Sequence, residues 1–288
     1  MSGHSHDGLD WAALLGHLRQ NDELNVDTLR ELAGRLVGPQ TRRVVDVGSG
    51  AGGMSTAFAE AMSGAGGTVE LVDGVPELLD AAAACVRAAA GPQVEVGTVQ
   101  ADAASDELLD LVSRADLVFA SAVVHHLPDQ QRGIDRLAAL VNPGGRLVLV
   151  EGGLEQRCLP WDLGVGEPGL QQRLLAAWGE WFRQMRAGMD GAVRLPVGWN
   201  RAMTEGGLTD VYSFSYLVDH PAPPTDRVYE AVLHWLSRLR EIVGEWGSEA
   251  DLDTVDQLLD PDSPNYVGGR DDVFLLTAHT VHVGTAPA

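Results

Sequence analysis

Two periods alternate along most of the chain. Short β-branched or apolar runs recur, and each is followed by a stretch with helical spacing. Residues 43–47 carry Val44, Val45 and Val47 and predict a strand buried in a parallel sheet. Residues 54–62 follow as a helix, with Gly64 past its end. Strands are predicted over 68–72, 94–99, 116–121 and 146–151, with helices over 77–90 and 106–113 between them. A further helix opens at Leu127-Pro128-Asp129 and reaches residue 141, ended by Asn142-Pro143-Gly144-Gly145. This alternation predicts an α/β, doubly wound, mostly parallel sheet. Residues 10–18 and 27–37 read as amphipathic helices, the first with Trp11, Leu14, Leu15 and Leu18 on one face. After residue 155 the pattern changes. Residues 169–189 have helical spacing, 211–217 read as a sixth strand, 229–246 and 252–259 as helices, and 273–283 as a seventh strand. The expected division is an N-terminal helical cap over 1–40, a core over 41–154, a helical insert over 155–209, and the rest of the sheet with a helical insertion over 210–288.

Composition narrows the chemistry. At 288 residues with 45% hydrophobic content, the chain can form one large domain with insertions. No apolar run would span a bilayer and no basic-then-apolar leader is present, so a cytoplasmic location is expected. Cys85 and Cys158, the only cysteines, lack metal-ligand spacing and read as free thiols. A net charge of −21 repels nucleic acid and anionic membranes, which leaves small molecules as the expected partners. All 20 basic residues are arginine. A Walker A loop, a Tyr-x-x-x-Lys dehydrogenase pair and Schiff-base catalysis are thereby excluded. His4, Ser5, His6 and Asp7 admit a metal site, but a disordered terminus is the plainer reading, and no metal is expected.

Gly48, Gly50 and Gly53 fit the dinucleotide pattern G-x-G-x-x-G, whereas Gly48, Gly50 and Gly52 fit D-x-G-x-G-x-G led by Asp46. Asp46 favours the second. An acid at a strand end is costly without a cation or donors, and it would repel a pyrophosphate. Here the sequence resembles the class I S-adenosylmethionine-dependent methyltransferases over residues 42–151. The resemblance implies a seven-stranded, Rossmann-like sheet whose last strand is antiparallel and enters at the sheet edge. It also implies S-adenosylmethionine as cofactor and S-adenosylhomocysteine as product. Asp73 ends the second strand 21 residues after Gly52, a spacing suited to bridging two ribose hydroxyls, although Gly74 and Pro76 also suit a cap or turn. Asp102 and the backbone of Ala103 match the position that takes the adenine amino group; a helix cap is the alternative. Ser49, Gly74 and Ser121 complete the implied cofactor set.

Val123-Val124-His125-His126-Leu127-Pro128-Asp129 follows the fourth strand, at the carboxyl end where open α/β sheets bind ligands. Histidine can accept a proton near neutral pH. The His-His-x-Pro-Asp pattern is similar to that of small-molecule methyltransferases, in some of which a histidine here pairs with an acid ending the fifth strand. Glu151 holds that position. Anchoring of the loop by both histidines is the alternative. Trp161, Trp178, Trp181 and Trp199 lie in the insert and are expected to form a lid over the acceptor. A helical subdomain's own core, or an oligomer interface such as that of a homodimer, would use the same residues. The expected function is methylation of a small organic acceptor, a specialised metabolite, with oxygen preferred over carbon or nitrogen. A nucleotide-binding oxidoreductase and a non-catalytic S-adenosylmethionine-binding protein are the alternatives.

Overall fold

The computed structural model describes residues 11–288, with side chains from Leu15 onward. His4 and His6 therefore lie outside the described residues, as do the side chains of Trp11 and Leu14. Two helices open the chain, α1 (Trp11–Leu24) and α2 (Val26–Leu36). Strand and helix then alternate through β1 (Arg43–Val47), α3 (Gly53–Met62), β2 (Gly67–Asp73), α4 (Pro76–Ala89), β3 (Val94–Gln100), α5 (Leu108–Leu111), β4 (Ala115–Ser121), α6 (Gln130–Ala139) and β5 (Val141–Arg157). The remainder is α7 (Leu170–Gly188), α8 (Trp199–Glu205), β6 (Thr209–His220), α9 (Asp226–Ile242), α10 (Glu249–Leu259) and β7 (Leu275–Thr285).

The strands form one seven-stranded sheet in the order β3-β2-β1-β4-β5-β7-β6. The first five strands are parallel, as the strand-helix alternation requires. β7 runs the other way: the Ala286 amide donates to the Gly145 carbonyl, while Ala278 faces Gly153. β7 lies between β5 and β6, and β6 forms the edge. This corrects the expectation that the last strand sits at the edge. Its apolar residues Val281 and Val283 are fully buried, which an inner position supplies and an edge does not.

Two further boundaries differ from the pattern. The helix expected over 106–113 shrinks to four residues, because residues 102–108 form successive turns. The Asp106 carboxylate also turns away to pair with Arg132 and Arg136 of α6. Residues 142–145 open β5 rather than only closing α6. Pro143 cannot continue a helix, and Gly144 takes φ of 75°.

The chain divides into two compact units. The first comprises residues up to 151 with 193–214 and 281–288; the second comprises 152–192 and 215–280. In the first, Val44, Val45 and Val47 are buried at the sheet centre, and Phe58 meets Phe119 edge to face at 5.3 Å. Asp129 caps α6 by accepting from the Arg132 amide. In the second, α9 buries Val228, Val232, Leu236 and Leu239 along one stripe. Arg173 of α7 grips the Asp251 carboxylate of α10 through Nε and Nη2. Gln171 accepts from the Cys158 and Leu159 amides and donates to the Gln156 carbonyl, so a buried polar side chain is satisfied. No described helix is long and apolar enough to cross a membrane.

Candidate active site

Strand order reverses between β1 and β4. Chain connections leave on opposite sides there, and a crevice opens beyond the strand ends. Two loops meet at that point. Gly48 follows β1 with φ of 73°, and a Cβ on it would lie 2.3 Å from Val123 Cγ2 in the loop after β4. Only glycine lets the two loops approach so closely. Gly50 and Gly52 also take positive φ, 53° and 89°.

The turn is tied to β2. The Gly48 and Ser49 amides both donate to the Val72 carbonyl, at 2.7 and 3.1 Å. Asp73 Oδ2 accepts from the Gly50 amide at 3.1 Å, and its Oδ1 accepts from the Val75 amide. The second-strand acid thus stands against the glycine turn, with lone pairs left over to accept further hydrogen bonds. Ser49 Oγ is buried there without a hydrogen-bond partner among the described residues. An orphaned hydroxyl beside an acid and a glycine turn fits a polar ligand such as the cofactor. Asp102 Oδ1 accepts from the Ala104 amide and holds a turn, with Ala103 half-buried beside it; Gly74 and Ser121 are exposed at their strand ends.

Asp46 is almost wholly buried, and Ser55 Oγ of α3 donates to its Oδ2 at 2.5 Å. Burial pushes its carboxyl up to about 7; the Ser55 hydrogen bond opposes this, while Asp73 and Asp22 add to it. Asp46 therefore fastens β1 to α3 beneath the turn. Asp22 of α1 is a neighbour that sequence reasoning missed. Its Oδ2 accepts from the Gly53 amide at 3.0 Å, at the start of α3, and burial raises it to about 6. Nothing in the local pattern distinguishes this acid from Glu23 beside it, because its partner lies 31 residues away.

The second half of the site is built around Glu151 of β5, which is 3% exposed. Its Oε1 accepts from the Val123 and Val124 amides at 3.1 and 2.7 Å. Its Oε2 lies 2.7 Å from His125 Nδ1. A carboxylate only accepts, so Nδ1 carries the proton and Nε2 is the basic nitrogen. The His126 ring lies beside that of His125, with centroids 4.0 Å apart. Immediately before this turn, Ala122 holds φ of 54°, backbone strain of the kind that gathers at working sites. His282, Asn200 and Ser213 complete the surroundings of Glu151 and were not singled out from sequence. They lie far along the chain and carry no motif.

The four tryptophans divide between the units. Trp199 packs against the core of the first unit. Trp161, Trp178 and Trp181 belong to the second. Trp178 and Trp181 group with Phe182 on α7, their ring centroids 5.7–6.4 Å apart. Trp161 lies across Gly169 and is 64% exposed.

A mostly parallel seven-stranded sheet, with a glycine turn at the strand-order reversal and an acid ending the next strand, matches a Rossmann-like methyltransferase fold. A family model described as a methyltransferase domain matches residues 17–211, and the chain belongs to that family. This decides against the oxidoreductase reading. Among solved structures, an O-methyltransferase family protein from Burkholderia thailandensis shares 16% identity at a TM-score of 0.52; the match covers 98% of this chain and 61% of that one. A candidate methyltransferase from Bacillus halodurans C-125 shares 16% identity at a TM-score of 0.50, over 92% of this chain and 99% of that one. At such identity the likeness is one of fold. A search of curated protein sequences finds no match.

Proposed function

We propose that this methyltransferase acts on a small organic acceptor, a specialised metabolite, and that the methylated atom is an oxygen in preference to carbon or nitrogen. The observation that carries the reading is the 2.7 Å bond between His125 Nδ1 and Glu151 Oε2, in the loop that packs on the glycine turn. A hydroxyl acceptor must lose a proton as its oxygen is methylated. The sulfonium of S-adenosylmethionine supplies the activated methyl group. His125 accepts the proton at Nε2, and Glu151 holds the ring in the required tautomer and stabilises the charged form. His126 is the neighbouring candidate for the same task. Gly48, Ser49, Gly50, Gly52, Asp73, Gly74, Asp102, Ala103 and Ser121 would hold the cofactor, with Asp46 supporting the turn from below. The lid role of residues 155–209, with the tryptophans selecting the acceptor, belongs to the same proposal.

Three single variants and one double variant test it. Asp73→Ala should weaken S-adenosylmethionine binding in calorimetry by about 1–3 kcal/mol, the cost of leaving hydroxyl donors unpaired. His125→Ala should slow single-turnover methylation of a hydroxyl acceptor on the order of 10²–10⁴-fold while leaving cofactor affinity nearly unchanged. His126→Ala should have the smaller effect. Wild-type chemistry in both single variants and in the double variant would remove the histidines from the mechanism.

A further inference from the structure

Behind the His125–Glu151 pair stands a second histidine. His282, on β7, is 8% exposed, and its Nε2 lies 3.1 Å from the backbone carbonyl of Glu151. Its Nδ1 lies 2.8 Å from Ser213 Oγ and 2.8 Å from Asn200 Oδ1. Ser213 Oγ in turn lies 2.6 Å from Asn200 Oδ1. A carbonyl oxygen only accepts, so Nε2 carries a proton. Burial holds the imidazole below its ordinary pKa, partly offset by the Glu151 carbonyl and charge, which agrees with a neutral ring having only that proton. Nδ1 is then an acceptor, and the Ser213 hydroxyl beside it can donate to it.

The strand explains why Glu151 needs a side chain at its carbonyl. Gly152 and Gly153 follow within β5 with φ of 71° and 133°, a local departure from strand geometry directly after Glu151. The Glu151 carbonyl is buried, and His282 donates to it. The same residue's carboxylate, a few bonds away, bonds the Val123 and Val124 amides and His125 Nδ1.

We propose that His282 is a positioning residue for methyl transfer: its Nε2–H, itself oriented by Ser213 of β6 at Nδ1, fixes the Glu151 peptide so that the carboxylate holds His125 with its proton on Nδ1. The inference rests on the reading of His125 as the base. It makes His282, 131 positions downstream of Glu151, part of the proton-transfer geometry without touching cofactor or acceptor.

The test reads tautomers as well as rates. In the full-length protein labelled with ¹⁵N-histidine, the ring nitrogens should report Nε2–H at His282 and Nδ1–H at His125. A wild-type His282 with its proton on Nδ1 overturns the proposal and requires no variant. His282→Asn keeps a polar group near Ser213 and Asn200 but cannot reach the Glu151 carbonyl. His282→Gln places an amide N–H close to the lost Nε2–H. The expected result is that His282→Asn mixes the tautomers of His125 and lowers kcat about 10²-fold, the scale of a misplacement of about 1 Å, with the KM for S-adenosylmethionine unchanged. His282→Gln should recover most of both losses. A folded His282→Asn protein that keeps the His125 tautomer and the wild-type kcat overturns the proposal, as does a His282→Gln protein no better than His282→Asn. Failure of the base reading looks different: His125→Ala would keep full chemistry while the His125 tautomer still responded to His282→Asn.

Discussion

Asp46 combines a signature residue with a buried, proton-binding one. Its folded-state pKa is raised from 3.8 to about 7, chiefly by burial. Between these values the folded chain keeps a proton that the unfolded chain has released. The stability owed to this group is full below the lower value and is lost as pH rises toward the upper one. Asp46→Asn cannot titrate, yet it still offers Ser55 an acceptor oxygen. The melting temperature of the cofactor-free protein should therefore fall less in Asp46→Asn than in wild type when pH is raised from about 4 to about 8. Equal slopes would mean that Asp46 is already ionised in the folded protein. At this scale the sequence was partly legible. Asp46 and Asp73 were found from the glycine spacing, and the Glu151–His125 pairing came from family resemblance. Asp22, Ser55 and His282 were not found, because a residue's role here depends on a partner brought from 9 to 131 positions away.

The glycine turn and α3 are governed by shape more than by charge. Gly52 begins α3 in the left-handed region, and a Cβ there would lie 2.9 Å from Ala82 Cβ and 3.0 Å from Ala82 Cα on α4. The left-handed conformation alone costs a residue with a Cβ about 1–2 kcal/mol. The backbone of α4 adds to this, because it cannot swing aside as a long side chain would. Gly52→Ala should lower unfolding free energy in urea by more than about 1 kcal/mol, whereas Gly64→Ala, with open space around it, should stay within about 0.5 kcal/mol. Similar losses in both would show that close packing at Gly52 contributes little. Elements such as β1, α3 and β2 were readable because their periods are strong and their ends carry Gly or Pro. The helix expected over 106–113 was not, since four residues of turn and an Asp106 committed to two arginines outweigh weak helical spacing.

For the whole molecule, the dominant long-range quantity is charge. A net charge of −21 on 288 residues repels itself, and salt shortens the range of that repulsion from about 30 Å at 0.01 M to about 10 Å at 0.1 M. The melting temperature should rise over this interval at fixed pH. A fall would mean that attractive pairs such as Arg43–Glu70 and Arg136–Asp106 outweigh the net repulsion. If the acceptor is anionic, its KM should fall over the same interval, and a neutral acceptor should show no such change.

The sequence by itself determined the period of each strand and helix, the glycine turn, and the alternation that makes the sheet parallel and doubly wound. These are short-range consequences of Cβ sterics, β-branching and the side on which apolar residues fall. Tertiary structure alone decided that β7 inserts between β5 and β6. A strand's neighbours are chosen by which apolar faces remain uncovered once the rest of the sheet has formed, and no window of sequence contains that. It also decided that His282 meets the carbonyl of Glu151. That contact exists because β7 returns to the sheet beside β5, where the two glycines after Glu151 depart from regular strand geometry.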